Sequence, residues 1–380
     1  MTDTKKFGAF IDKLLAKNCP FAIWSLPGSH TPEILVAKKE EIVYLSRLSR
    51  LNGQEGFVFA PYQINENAPL ALLKPGIYKK GIDEILKINC KRIPEEPAAE
   101  ILPDTSFFIS HDAYIQDIEI TLEEIKKSKL AKVIVSRLIS AKRSNESVGE
   151  IYMQLIQQTP NAFAYLVNLP ANGNGNGLPK AGLWMGATPE VLLRSEGKTL
   201  ETVSLAGTQS RHDNNDYRWH TKEIEEQAFV SRYLLDVFYK FNIHPYTTQG
   251  PETLESGKVA HLSTSFRFAA KKLEANLGDF IAELHPTPAV CGYPKPKAAK
   301  FIPKIEKHDR RYYTGYLGPW RLNGDVGLFV NLRCMEILPQ QYILYSGGGI
   351  TARSVPEDEW EETNKKATTL LSAIEAVQNR

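Results

Sequence analysis

Strand-type and helix-type segments succeed one another in this 380-residue chain without a regular β–α–β rhythm, which favours an α+β fold over a doubly wound parallel sheet. Phe21-Ala-Ile-Trp-Ser-Leu, Ile34-Leu-Val-Ala and Phe57-Val-Phe-Ala read as strands, because β-branched and aromatic residues cluster there between Pro, Gly and Asn. Residues 122–130 predict a helix, 132–137 a strand, 151–158 a helix stopped by Thr159-Pro160, and 162–169 a strand. The clearest helix spans 219–241, where Ile224, Phe229, Val230, Tyr233, Leu234, Val237, Phe238 and Phe241 recur at helical spacing. Residues 326–337 and 341–346 predict two adjacent antiparallel strands, and 357–377 a final helix.

The length allows one large two-layer domain or two to three smaller units. With 42% hydrophobic and 24% charged residues, the chain can bury a sizeable core and is not disordered as a whole. A net charge of +2 without a basic block argues against nucleic acid as the main partner. Cys19, Cys90, Cys291 and Cys334 lie far apart, so they predict buried thiols rather than a disulfide framework or a zinc site. The N-terminal stretch is amphipathic but too polar for a secretory segment, and nowhere do eighteen apolar residues run together. No membrane association and a cytoplasmic location are therefore expected. No sustained heptad seam is present, and a monomer is expected. The Pro/Glu-rich stretch 93–100 predicts a surface connector. Asn172-Gly-Asn-Gly-Asn-Gly predicts a hairpin loop, since no Lys-Ser/Thr follows to make a phosphate cradle.

Two helices each carry acidic residues one turn apart, Glu223 with Glu226 and Glu359 with Glu362. Spacing of i, i+3 puts each pair on one helical face. If both helices flank one pocket, four carboxylates converge there and call for a hard cation such as Mg²⁺; solvated helix faces are the bland alternative. Ser346-Gly-Gly-Gly-Ile-Thr follows a strand and can bring backbone N–H groups close to an anion, or it is a tight turn. Arg333, just before it in sequence, would support an anion role if it points into the same cleft. The rigid His285-Pro-Thr-Pro-Ala-Val-Cys-Gly segment suits a pocket wall, while a lone His in it is more often structural. Lys132 opens a strand and would act as a base only if desolvated. Glu190 is flanked by apolar residues, so it is either partly buried and protonated or an ordinary turn carboxylate.

Taken in order, Lys132-Val-Ile-Val-Ser-Arg, Gly186-Ala-Thr-Pro-Glu, Leu205-Ala-Gly-Thr, Lys222-Glu-Ile-Glu-Glu, His285-Pro-Thr-Pro-Ala-Val-Cys-Gly, Tyr313-Thr-Gly-Tyr-Leu-Gly, Asn331-Leu-Arg and Ser346-Gly-Gly-Gly-Ile through Glu359-Trp-Glu-Glu-Thr resemble the chorismate-utilising enzymes. Residues 120–376 carry the resemblance. Within that family the combination looks most like the isochorismate synthases. Lys132 stands where amino-transferring members typically carry glutamine. One departure is Gln227, where relatives often have His, which concerns only a contact beside the metal site.

The resemblance implies a large two-lobed chorismate-binding fold with mostly antiparallel sheets flanked by helices. Residues 1–119 would form a variable part adding strands to it, and 120–380 the catalytic region. It also implies an isomerase acting on chorismate, in which water adds at C2 and the C4 hydroxyl leaves. Lys132 would be the general base and Glu190 the general acid. Mg²⁺ would be held by Glu226 and Glu362, with Glu223 and Glu359 on metal-bound waters. Arg333, Lys366 and the N–H groups of Gly348 and Gly349 would hold the enolpyruvyl carboxylate, Gly207 and Thr208 the ring carboxylate, and His285 and Tyr316 would line the pocket. No glutaminase subunit is expected. A salicylate synthase and a non-catalytic anion binder are the rival readings, and the route using the product, menaquinone, siderophore or other, stays open.

Overall fold

The computed structural model describes residues 3–29, 31–66, 68–95, 107–170, 181–210, 217–256 and 259–379. Two mixed-origin sheets, antiparallel throughout, lie at its centre. The first runs, edge to edge, Gly292–Tyr293, Lys132–Lys142, Gln341–Thr351, Cys334–Ile337, Gly182–Thr188, Phe163–Leu169, Phe21–Ser25, Glu33–Val36 and Ile77–Lys80. The second runs Tyr246–Ser256, Val259–Ala269, Thr199–Ser210, Val191–Glu196, Gly327–Val330, Tyr316–Trp320, Gly56–Ala60, Leu70–Leu73 and Ile42–Leu45. Segments from the first third of the chain thus extend one side of both sheets, and the fold is α+β.

Burial follows from the strand period of two. Trp24, Phe57, Phe59, Phe163, Tyr165, Trp184, Tyr312 and Phe329 fill the space between the sheets, with Phe59 on Tyr312 at 3.9 Å and Phe163 on Phe329 at 4.2 Å between ring centroids. The outer face of the first sheet is covered by the helices Asp3–Ala16, Val148–Gln158 and Pro356–Gln378. That of the second is covered by Thr221–Lys240 and Leu277–Leu284. The order is helices, sheet, sheet, helices. Ser110 and Ser147 begin two helices by accepting from Ala113 N–H at 3.3 Å and Glu150 N–H at 2.9 Å, which satisfies otherwise orphaned donors. Among the described residues no helix is long and apolar enough to cross a membrane.

Four expectations need correction. The helix expected at 122–130 is His111–Lys127; its Ser110 cap and the buried Tyr114, Ile118, Thr121 and Ile125 start it a full three turns earlier. The run 326–337 is not one strand. It breaks at Asn331–Arg333, and its halves, Gly327–Val330 and Cys334–Ile337, belong to different sheets. The triple glycine is no turn, because Gly347, Gly348 and Gly349 lie inside the Gln341–Thr351 strand opposite Ser136, Val135 and Ile134. Ile224, expected in the buried stripe of its helix, is 52% exposed. The 172–177 tract and most of the 93–100 connector lie outside the described residues.

Candidate functional site

The break at 331–333 builds one wall of a cleft of about 710 Å³ between the sheets. Tyr165 Oη–H donates to Asn331 Oδ1 at 2.6 Å and Asn331 Nδ2 donates to Tyr312 O at 2.9 Å. Held this way, the chain passes from one sheet to the other with Arg333 at a positive φ of 46°. A Cβ on Gly186 would lie 3.0 Å from Arg333 O and 2.8 Å from the Tyr165 ring, so only glycine permits the crossing. Glu190, Gly207, Glu226, His261, Val290, Tyr313, Thr314, Arg333, Gly347–Gly349 and Lys366 are among the cleft's lining residues.

Lys132, fully buried, lies behind that lining with Nζ 2.9 Å from Glu226 Oε1, though not aligned as a well-directed hydrogen bond. A Cβ on Gly349 would sit 2.9 Å from Lys132 Cε and 2.5 Å from Glu226 Oε1, which explains the glycine there. Two strands, Gln341–Thr351 and Cys334–Ile337, separate the strand of Lys132 from the one that leads into Glu190. At about 4.8 Å per strand the two backbones stand roughly 14 Å apart, and the charge of Lys132 is felt at Glu190. Glu190 is buried, and burial pushes its carboxyl up to about 8, partly offset by Lys132 and Lys366. It therefore holds a proton at neutral pH.

His261 was not singled out from the sequence, yet it sits at the centre of the polar wall. Arg333 Nη2 lies 3.0 Å from its Nε2, and its Nδ1 lies 3.1 Å from Gly207 O. A guanidinium can only donate, so Nε2 accepts and Nδ1–H donates to the carbonyl. Burial, with Arg333 and Lys366 adding to it, lowers the imidazole to about 3, which keeps it neutral. Burial likewise lowers Arg333 to about 10, still charged at neutral pH. The strand pairing Thr208↔His261 is what brings them together. Gly207, at a bulge with φ 77°, would place a Cβ 2.9 Å from Glu223 Cβ, so glycine here lets the Thr221–Lys240 helix approach.

The carboxylates are shared with lysines. Lys366 Nζ is 2.7 Å from Glu362 Oε1 and donates to Gly347 O at 2.9 Å; burial acts against it, but Lys366 holds Glu362 below the usual range. Lys222 Nζ is 2.8 Å from Glu359 Oε1. Burial and then Glu362 raise Glu359 to about 7. Although burial opposes it, Glu359, Glu362 and Glu226 together raise Lys222, so this ammonium stands among three carboxylates from two helices. Such an all-oxygen set suits a hard divalent cation, and Glu359 Oε2, buried without a well-directed hydrogen bond, is a ready lone-pair donor. Among the described residues no three side chains already stand at metal-binding spacing. The set fits a cation once the lysines give way.

Other expected residues stand elsewhere. Glu223 accepts from His220 N–H at 3.0 Å and closes its helix N-terminus rather than facing the other three. His285 and Tyr316 pack on each other in the core, 5.0 Å between ring centroids, and are not among the cleft-lining residues; burial lowers His285 to about 3. Ladder alternation turns the Gly348 peptide toward Val135, because Ile134 and Ser136 direct theirs to the opposite edge. Gly348 N–H is thus engaged in the sheet, while those of Gly347 and Gly349 face away from it. The Thr208 side chain lies outside the described residues. Gln227 Nε2 donates to Thr264 Oγ1 at 2.7 Å, away from the carboxylates.

A family profile described as chorismate binding enzyme matches residues 48–375. The vibriobactin-specific isochorismate synthase of Vibrio cholerae is 29% identical over 273 residues, covering 70% of this chain and 67% of that protein. Isochorismate synthase EntC of Escherichia coli is 30% identical over 252 residues, covering 64% of this chain and 62% of that protein. The chain thus spans about two thirds of the length of these relatives. In fold it is similar to the crystal structure of a putative 2,3-dihydroxybenzoate-specific isochorismate synthase, DhbC, from Bacillus anthracis. The TM-score is 0.77 at 24% identity, over 96% of this chain and 99% of that one.

Proposed function

Because the chain belongs to the chorismate binding enzyme family, whose profile takes in residues 48–375, we propose that it is an isochorismate synthase, converting chorismate to isochorismate. The carrying observation is a buried carboxyl that burial pushes up to about 8, Glu190, lining one cleft with Arg333 and Lys366, with the buried amine of Lys132 behind that lining. Hydroxide is a poor leaving group, so the C4 hydroxyl must be protonated as it departs; Glu190 gives that proton. Water is a weak nucleophile, so a base must take its proton as it adds at C2. Lys132 does so, and an amine can do so only when uncharged. One water enters, one leaves, and the ring double bonds shift, so substrate and product are isomers. The proton gained by Lys132 and lost by Glu190 returns through solvent.

Arg333 and Lys366 bind the enolpyruvyl carboxylate, with Gly347 and Gly349 N–H groups beside them, and the Gly207 turn meets the ring carboxylate. His261 holds Arg333 in line as a neutral acceptor. Glu226, Glu359 and Glu362 would hold Mg²⁺, which would supply positive charge for the ring carboxylate, and Glu226 would then leave its pairing with Lys132. Water, not ammonia, is the nucleophile, so no glutaminase partner is required. The product is expected to serve siderophore or menaquinone synthesis.

Purified protein with chorismate and Mg²⁺ should yield isochorismate on chromatographic separation; salicylate with pyruvate, or unchanged chorismate, would reject the reading. Chelation by EDTA should stop turnover and added Mg²⁺ restore it, whereas full activity in chelator would remove the metal from the mechanism. Gly349→Ala should lower kcat by roughly 10–100-fold, since a displaced reacting group costs about that much. Steady-state kinetics on protein of unchanged circular dichroism measures it, and a wild-type kcat would show the close approach at residue 349 to be immaterial.

A further inference from the structure

The Lys132–Lys142 strand borders only the two-residue strand Gly292–Tyr293 on its outer side. Around that strand, one backbone carbonyl and two buried side chains complete the sheet edge. Ile134 N–H donates to Cys291 O at 2.9 Å, Ile134 O accepts from Arg310 Nη2 at 2.9 Å, and Ser136 N–H donates to Glu306 Oε1 at 2.7 Å. Ser136 Oγ–H reaches the same oxygen at 2.8 Å. Arg310 is buried, and all five of its N–H donors are used. Nε donates to Glu306 Oε2 at 2.7 Å and Nη2 also to Glu306 Oε1 at 2.6 Å. Nη1 donates to Val290 O at 2.8 Å and Thr314 Oγ1 at 3.4 Å. One face of the guanidinium lies 4.6 Å from the Tyr62 ring centroid.

Three of those acceptors, on Ile134, Val290 and Thr314, belong to residues that line the cleft, and they come from three separate parts of the chain. We infer that the Arg310–Glu306 pair is a positioning unit that fixes the distance between the strand of Lys132, the loop after His285 and the Thr314 segment. Lys132 is two residues from Ile134, so its placement against the reacting atoms follows from this clamp. A planar fork with five fixed donors can bridge three segments at set spacing; a lysine, a point charge with three donors, cannot. Stability alone does not require charge here, since buried ion pairs are often replaced by apolar groups at no loss.

The kinetic arm of the test rests on the isochorismate synthase reading, so wild-type turnover of chorismate with Mg²⁺ is measured first. Arg310→Lys and the double variant Arg310→Met/Glu306→Gln, which leaves no uncompensated buried charge, are then compared at temperatures well below their melting points. Both should show kcat lowered by roughly 10–100-fold with KM little changed. Without substrate, amide hydrogen exchange should rise together in residues 132–136 and 289–292. The double variant should regain melting temperature relative to Arg310→Lys without regaining kcat. Recovery of kcat along with stability, exchange rising in only one segment, or failure of both variants to fold would overturn the inference in favour of a purely structural pair. If wild-type protein leaves chorismate unchanged, the functional reading fails, and the exchange measurement alone decides for or against the clamp.

Discussion

Lys132→Ala should lower kcat for chorismate by about 10²–10⁴-fold, the range expected for loss of a general base, while chorismate binding in the presence of Mg²⁺ stays close to wild type. In the proposed reading the substrate's carboxylates would be met by Arg333, Lys366 and the Gly207 bulge, none of which depends on the Lys132 side chain. The variant should also lose stability in the absence of cation. Removing the amine leaves Glu226, whose side chain is 14% exposed, without its partner at 2.9 Å and offset mainly by Lys222, and a carboxylate weakly compensated in such a place is costly. Added Mg²⁺ should therefore raise the melting temperature of Lys132→Ala more than that of the wild type. Isothermal titration with chorismate, steady-state kinetics and thermal melts with and without Mg²⁺ cover the three readouts. Binding lost with residual turnover unchanged would take the base role away from Lys132.

Glu190→Gln should produce a comparable fall in kcat and a distinctive change in pH dependence. The Glu190 carboxyl, raised by burial from its ordinary value to about 8, is protonated below that pH and ionised above it. An acid acts only while it holds its proton, so wild-type turnover should fall as pH rises through about 8, and the residual activity of Glu190→Gln should lack that limb. The linkage sign runs the same way. A carboxyl whose folded pKa exceeds its unfolded value binds more protons folded than unfolded between the two, so its full stability is present below about 4.5 and is lost as pH rises through about 8. Ionisation in the fold costs roughly 3–5 kcal/mol at 1.36 kcal/mol per unit, and glutamine does not pay it. The variant should thus be the more stable protein at pH 9, with the gap closing toward pH 5. Denaturant melts at the two pH values measure this directly; equal stability at pH 9 would mean that Glu190 is not desolvated as described.

The roles proposed for Lys132 and Glu190 come from the family resemblance that their runs carry. In the sequence, burial is one of two alternatives for Glu190 and stays open for Lys132, since burial depends on which strands flank them. His261 had no such signal. It is one polar residue in Val259–Ala269, and only the cross-strand pairing with Thr208 sets it against Gly207 and Arg333. The i, i+3 spacing of the glutamates correctly put each pair on a helix face, yet it could not show that Lys222 and Lys366 fill the space between them or that Glu223 turns to its own helix terminus. His285 looked like a pocket wall because its proline-rich segment is rigid. The segment does reach the cleft, but through Ala289 and Val290, with His285 turned into the core. The break inside 326–337 was invisible for a different reason. A continuous apolar run has the same appearance whether it stays in one sheet or changes sheets, and the change is imposed by Asn331 bonding to Tyr165 and Tyr312.

That change of layer leaves Arg333 belonging to neither half of the sandwich. Its backbone carbonyl is tied to Ala187 N–H of one sheet at 3.1 Å, and its guanidinium to His261 of the other at 3.0 Å. If one layer slides over the other by an ångström, the anion grip proposed for Arg333 would distort with it. Repacking of the aromatic filling between the layers, far from any reacting atom, would then be felt as a weaker hold on the carboxylate proposed to bind there.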